Sequence, residues 1–217
     1  MKKISLLLMF VLCVSFLCSC GEKEINNSSD NSSKVESSSS EQISSEDTSS
    51  EDITETVKAK ANEAINSVVT SGMTEYQKLK IVYEWLFYHF KYRAQSVDLS
   101  NGYTDELTYQ LANDYFKYHK GSCEHYAAAQ KVLFEQLGYE VMYVEGERYS
   151  TVELAYGEHV WVMIKIDGNW YHVDGLYGGN HSPGLLTTFC VPDSALEKTH
   201  RWEKSNSPEC TSPQYSK

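Results

Sequence analysis

His159-Val160-Trp161-Val162-Met163-Ile164-Lys165-Ile166-Asp167-Gly168-Asn169-Trp170-Tyr171-His172-Val173-Asp174 reads as one β-hairpin. Residues 160–166 and 170–173 are apolar and rich in β-branched or aromatic side chains. Between them Asp167-Gly168 is a preferred pair for a two-residue type I′ turn, which needs positive φ at both central positions. That turn predicts the register: Ile166 opposite Asn169, Lys165 opposite Trp170, Met163 opposite His172, Trp161 opposite Asp174. Side chains alternate across a strand, so His159, Trp161 and Met163 share a face with Trp170, His172 and Asp174. His159 and Asp174 become diagonal neighbours, about 7–8 Å apart at the backbone, within reach of an imidazole and a carboxylate. A one-residue slip would separate them.

Upstream, Gly121-Ser122-Cys123-Glu124-His125-Tyr126-Ala127 opens a helix. Tyr126, Ala129, Leu133 and Leu137 fall at helical spacing, Ser122 is placed to be the N-cap, and Gly138 suits the left-handed residue that ends the helix. Cys123 then lies in the first turn, where the helix dipole and unpaired N–H groups favour a thiolate. Its own N–H can also point at an oxyanion forming on a substrate carbonyl. A thiol, an imidazole and a carboxylate in this order suit a nucleophile, its base and its orienter.

Each residue has a plainer reading: Cys123 as a small core residue, His159 as a hydrogen-bonded strand histidine, Asp174 as a strand-end cap. His125 lies two residues past Cys123 and points away from it on a helix, so it is expected to be structural or to line a cleft wall. His172 shares the hairpin face, with core packing expected over substrate contact. Trp161 and Trp170 are expected to pack the sheet, Trp161 covering the His–Asp pair. A zinc set of Cys123, His125, His159 and Asp174 lacks both the Cys-x-x-Cys and the His-Glu-x-x-His spacings, so no metal and no cofactor are expected.

These residues resemble the transglutaminase-like superfamily. Bacterial members carry Gly-x-Cys-Glu-His-Phe/Tyr-Ala, then His-Ala/Val-Trp, then a strand ending in Asp, matched here by residues 121–127, 159–161 and Asp174. The helix around Trp85 and the segments Thr199-His200-Arg201-Trp202 and Pro208-Glu209-Cys210-Thr211 also look like parts of such proteins. The resemblance covers about residues 54–217 and implies a papain-like α+β core with Cys123, His159 and Asp174 as its triad. Many members follow the aspartate with Pro-Thr where this chain has Gly175-Leu176-Tyr177. Glu124 replaces the Trp that follows the nucleophile in animal transglutaminases, so their calcium-dependent crosslinking is not implied.

The remainder of the 217-residue chain leaves room for one domain. Lys2-Lys3 and the apolar run to Leu17 read as a signal peptide over 1–19, too short to span a membrane comfortably. Leu17-Cys18-Ser19-Cys20 is similar to a bacterial lipobox, which implies cleavage before Cys20 and lipid on its sulfur; Cys18 is the poorer candidate because Leu17 precedes it. Residues 20–53 are Ser-, Glu- and Asp-rich and cannot bury a core, so a disordered tether is expected, with a root-mean-square span on the order of 30 Å. Ten acids and two lysines fall within residues 21–55 of a chain whose formal net charge is −11. The mildly acidic domain at 54–217 has no basic stripe, which argues against nucleic acid as a partner.

Within that domain the pattern predicts a helix over about 53–69 broken by Gly72. A second amphipathic helix bears Leu79, Val82, Leu86 and Phe90 behind a Thr74–Gln77 capping box, and a weaker helix bears Leu107, Leu111 and Tyr115. Strands are expected at 141–144 and 152–154, then the hairpin. Helices first and an antiparallel sheet last define an α+β fold. Tyr118 is the candidate for a second oxyanion donor. Cys190 and Cys210 leave a disulfide open, closing a loop of about 20 residues with a stabilisation of about 3 kcal/mol. The expected protein is a monomeric, lipid-anchored, extracytoplasmic thiol enzyme acting on amide bonds of a peptide or protein substrate through an acyl-enzyme. The alternative is a binding module of the same fold.

Overall fold

The computed structural model describes residues 50–176 and 187–215. The signal peptide, Cys20 and nearly all of the tether lie outside these. The hairpin forms as the turn chemistry dictates. Strands β4 (Ala155–Ile166) and β5 (Asn169–Val173) pair antiparallel with Ile166 opposite Asn169 and Met163 opposite His172. Asp167 and Gly168 take φ of 51° and 82°, the double left-handed turn of type I′.

β3 (Glu140–Ser150) flanks β4 along its full length, from Glu140 opposite Lys165 to Ser150 opposite Ala155. β6 (His200–Trp202) adds to the far side of β3, giving a four-stranded sheet in the order β5-β4-β3-β6. The strand expected at 152–154 is a turn instead. Val152 and Leu154 are exposed and Leu154 takes φ of 54°. The chain must reverse there to pair β3 with β4, and strand propensity yields to that demand.

Among the described residues four helices precede the hairpin: α1 (Ser50–Val68), α2 (Glu75–Tyr88), α3 (Asp105–Tyr118) and α4 (Cys123–Gln136). Gly72, at φ 91°, sits in the break between α1 and α2. The expected capping box forms: Thr74 Oγ1 accepts from the Gln77 N–H at 3.2 Å and Gln77 Oε1 accepts from the Thr74 N–H at 2.9 Å. Among the described residues no helix is long and apolar enough to cross a membrane.

The sheet is covered on both faces. Val160, Val162, Ile164 and Ile166 join Leu79, Leu86, Leu111 and Leu133 of the helices in the larger core. Trp161 and Met163, on the opposite face of β4, pack with Val144, Val191, Leu196 and Cys210. Each such fully buried aliphatic side chain stabilises the fold by about 1.5–3 kcal/mol before entropy. Leu196 belongs to the one-turn α5 (Asp193–Leu196). The disulfide left open by the sequence is not formed: Cys190 and Cys210 are free thiols buried in separate clusters.

A two-residue parallel ladder, β1 (Lys91–Tyr92) with β2 (Lys120–Gly121), sets Tyr92 opposite Gly121. It ties the segment after α2 to the start of α4, where Cys123 lies.

Candidate active site

The start of α4 is built around His125. A Cβ on Gly121 would stand 2.5 Å from the His125 ring, so only glycine fits. Ser122 is the N-cap residue, but its hydroxyl bonds His125 Nδ1 at 3.0 Å rather than a backbone N–H. Gln95 meets the other ring nitrogen at 3.0 Å. His125 is therefore structural, its basicity lowered by burial. Held by Ser122 and Gln95, it does not join Cys123, His159 and Asp174 in the zinc set considered from sequence.

Cys123 is buried and its thiol donates to Glu124 Oε2 at 3.4 Å. The expected thiolate is overturned. Burial, then the Glu124 carboxylate, pushes the thiol up to about 12, outweighing the opposing pull of the Val160 and Cys123 N–H groups. At neutral pH this sulfur keeps its proton, and attack needs a base. Alkylation of Cys123 by iodoacetamide should thus climb with pH through the alkaline range. Glu124→Gln removes the charge that favours the neutral thiol and should raise the neutral-pH rate by roughly tenfold, one pKa unit. A Glu124→Gln rate equal to wild type would show that the carboxylate does not govern the sulfur.

The candidate for that base lies on β4. His159 Nε2 lies 3.0 Å from Asp174 Oδ2, as the hairpin register predicts. Burial opposes ionisation of Asp174, yet its two imidazole partners, His159 foremost and then His200, outweigh it and hold the carboxyl well below its ordinary range. An ionised carboxylate only accepts, so His159 carries its proton on Nε2 and its basic lone pair on Nδ1. The Asp174 backbone is pinned too. Its N–H donates to Thr188 O at 3.0 Å, and its carbonyl accepts from Thr188 Oγ1 at 2.6 Å and Tyr83 Oη at 3.3 Å.

Trp161 stacks on His159 with ring centroids 6.0 Å apart and lies edge-on to His200 at 5.0 Å, covering the pair as expected. Its indole N–H donates to His172 Nδ1 at 3.0 Å, and His172 Nε2 meets Asp193 Oδ1 at 2.9 Å. Burial brings His172 down to about 4, and it packs in the core rather than in the cleft.

Cys123 and His159 line the same cleft, which runs past them in two arms. One arm, about 220 Å³, is walled by Phe87, Phe90, Tyr92 and Leu176 with Arg148. The other, about 500 Å³, carries Glu124, Glu145, Glu147 and Glu158 beside Tyr103 and Leu99. Arg148 Nη1 donates to Leu176 O at 2.7 Å, fixing the chain just after Asp174. Tyr118, the sequence candidate for an oxyanion donor, is absent from both arms. It is 51% exposed at the end of α3, under Lys117 and Lys120. The upstream tyrosines in the cleft are Tyr92, placed there by the ladder with Gly121, and Tyr103.

Sequence reasoning also missed a second partner of Asp174: His200 Nε2 approaches the same Oδ2 at 3.0 Å. The only signal was Thr199-His200-Arg201-Trp202 in the family resemblance, to which no role attached.

Helices packed on an antiparallel sheet define an α+β fold, which sets a cysteine at a helix start in one cleft with the histidine of a histidine–aspartate pair on a hairpin. A profile of the Transglutaminase-like superfamily matches residues 62–175, just over half of the chain, and the chain belongs to that superfamily. It is 22% identical over 139 residues to the Kyphoscoliosis peptidase of Mus musculus and to that of Homo sapiens. Each match covers 61% of this chain and 20% of the relative, so the chain spans about a fifth of those proteins. Among solved structures, the crystal structure of a TGase aligns over 64% of this chain and 36% of its own at 16% identity and TM-score 0.46. The (BACCR)NAT3 arylamine N-acetyltransferase of Bacillus cereus aligns over 53% and 46% at 11% identity and TM-score 0.37.

Proposed function

We propose that this protein is a thiol enzyme that acts on amide bonds of peptides or proteins at the cell surface, held to the membrane by lipid on Cys20. Cys123 is its nucleophile, His159 its base and Asp174 the orienter of that base. The single observation that carries the reading is a buried, ionised Asp174 bonded to His159 Nε2 at 3.0 Å while His159 and Cys123 share one cleft. The lipid anchor rests on the lipobox-like run alone.

As Cys123 Sγ bonds to the substrate carbonyl carbon, its proton passes to His159 Nδ1 and the carbonyl π pair moves onto oxygen. The Cys123 N–H, at the start of α4, faces that oxyanion. Asp174 steadies the imidazolium without taking its proton. Collapse of the adduct expels the amine, which leaves with the imidazolium proton, and a thioester remains. Water hydrolyses it, or a primary amine takes the acyl group. The carboxylates of the larger arm favour a cationic group over an anionic one beside the thioester.

The rival reading, a peptide- or wall-binding module of this fold, keeps the cleft and drops the chemistry. p-Nitrophenyl acetate separates the two. Wild type should release a burst of nitrophenolate and carry acetyl on Cys123, and Cys123→Ala should lose about a thousandfold or more of that rate. Equal rates for wild type and Cys123→Ala would leave only the binding module. Partition of the acetyl group with added amine then tells transferase from hydrolase.

A further inference from the structure

Asp174 accepts three hydrogen bonds. Oδ1 takes the Leu176 N–H at 2.9 Å, and Oδ2 takes two ring nitrogens, His159 Nε2 and His200 Nε2, each at 3.0 Å. Since the ionised carboxylate has no proton to offer, both rings donate. Only 2% of Asp174 and 1% of His200 are exposed, so water has no way to stand in for the second ring.

We propose that His200 is a positioning residue of the same reaction: it clamps the Asp174 carboxylate so that the imidazole of His159 is held on line for Cys123. The proposal rests on the reading of Asp174 as the orienter of His159. With two contacts alone, Leu176 N–H and His159, the carboxylate plane can rock about its Cβ–Cγ bond and carry the His159 ring with it. The third contact resists that rocking, because a partial turn draws Oδ2 away from a second buried ring. Misplacement of a catalytic base by about 1 Å costs on the order of a hundredfold in rate, so the clamp has consequences out of proportion to its own strength.

His200 is itself fixed. Its backbone lies in β6, opposite Arg148 of β3, and its Nδ1 meets Thr199 Oγ1 at 2.9 Å, which in turn donates to Leu196 O at 3.3 Å. Trp161 lies against both the His159 and the His200 ring and holds their spacing. β6 lies beyond residues 62–175, the segment shared with the superfamily profile. The segment after the hairpin is therefore more than a cover for the second face of the sheet: it supplies a working member of the site.

The test uses His200→Leu, which removes the donor, and His200→Gln, whose amide nitrogen falls near the place of Nε2. The first readout, independent of any chemistry, is the His159 Nε2–H signal in ¹H–¹⁵N spectra of the imidazoles. It should exchange slowly in wild type and in His200→Gln and be lost to rapid exchange in His200→Leu. The second is acetylation of Cys123 by p-nitrophenyl acetate, which should fall about 10–100-fold in His200→Leu and stay close to wild type in His200→Gln. Persistence of the His159 signal in His200→Leu overturns the proposal, as does its loss in His200→Gln. If His200→Leu does not fold, His200→Gln decides alone. A wild type acetylated no faster than Cys123→Ala would sink the thiol-enzyme reading, while the imidazole spectra would still decide whether His200 orders His159.

Discussion

Asp174→Asn is expected to lower acylation of Cys123 by about four orders of magnitude and to destabilise the fold at neutral pH. The reason is a conflict that an amide cannot resolve. Oδ1 receives the Leu176 N–H and Oδ2 receives two imidazole N–H groups. With the amide oxygen at Oδ2, its NH₂ faces the Leu176 N–H. With the oxygen at Oδ1, the NH₂ faces both rings, and His159 must shift its proton to Nδ1 to accept, losing the lone pair that receives the thiol proton. Either way buried donors are left unmatched, at about 1–3 kcal/mol each. The pH dependence follows from the same carboxyl, which the two histidines hold well below its ordinary range against the opposing effect of burial. A depressed carboxyl contributes stability that is present above its unfolded pKa of about 3.9 and is lost as pH falls below it. The difference in Tm between wild type and Asp174→Asn should therefore persist from neutral pH to about 4 and shrink below that. A gap that does not narrow in acid would mean the carboxyl is not the group that carries it.

What could be read in advance was whatever local chemistry determines. Asp167-Gly168 and the alternation on either side gave the register that joins His159 to Asp174. Gly121, Ser122 and Gly138 gave both ends of the helix that carries Cys123. The misreadings share the opposite character. His200 reaches Asp174 through a three-residue strand paired across some fifty positions with β3, and no periodicity announces so short an element. Residues 152–154 have the composition of a strand, but the pairing of Ser150 with Ala155 requires a reversal. The thiolate was inferred from the helix dipole, a local effect. Burial, which only the tertiary fold sets, and Glu124, which was in plain view next to Cys123, act the other way and prevail.

Gly175→Ala is expected to be strongly disruptive. An added Cβ would stand 1.9 Å from Tyr126 Oη, 2.6 Å from Cζ and 2.8 Å from Cε1. Tyr126 is buried in α4, three residues after Cys123, with Phe90 edge-on against its ring at 5.1 Å, so it has nowhere to swing. The phenol thus occupies the space that a side chain at residue 175 would need. Relief must come from the backbone, between an Asp174 pinned to Thr188 and a Leu176 pinned to Arg148. Overpacking of this kind costs about 1–3 kcal/mol or more, about 2–4 °C of Tm per kcal/mol in a domain of this size. It also pushes Asp174 away from α4, so acylation should fall with stability. Tyr126→Phe supplies the control. The Tyr126 hydroxyl is buried with no hydrogen-bond partner among the described residues, so deleting it alone should leave stability unchanged or raise it. In the Gly175→Ala background it removes the closest clash but leaves Cζ, and should recover part of the loss. Non-additivity of the two changes in a double-mutant cycle measures the contact directly; strictly additive effects would mean that alanine at 175 finds its room elsewhere.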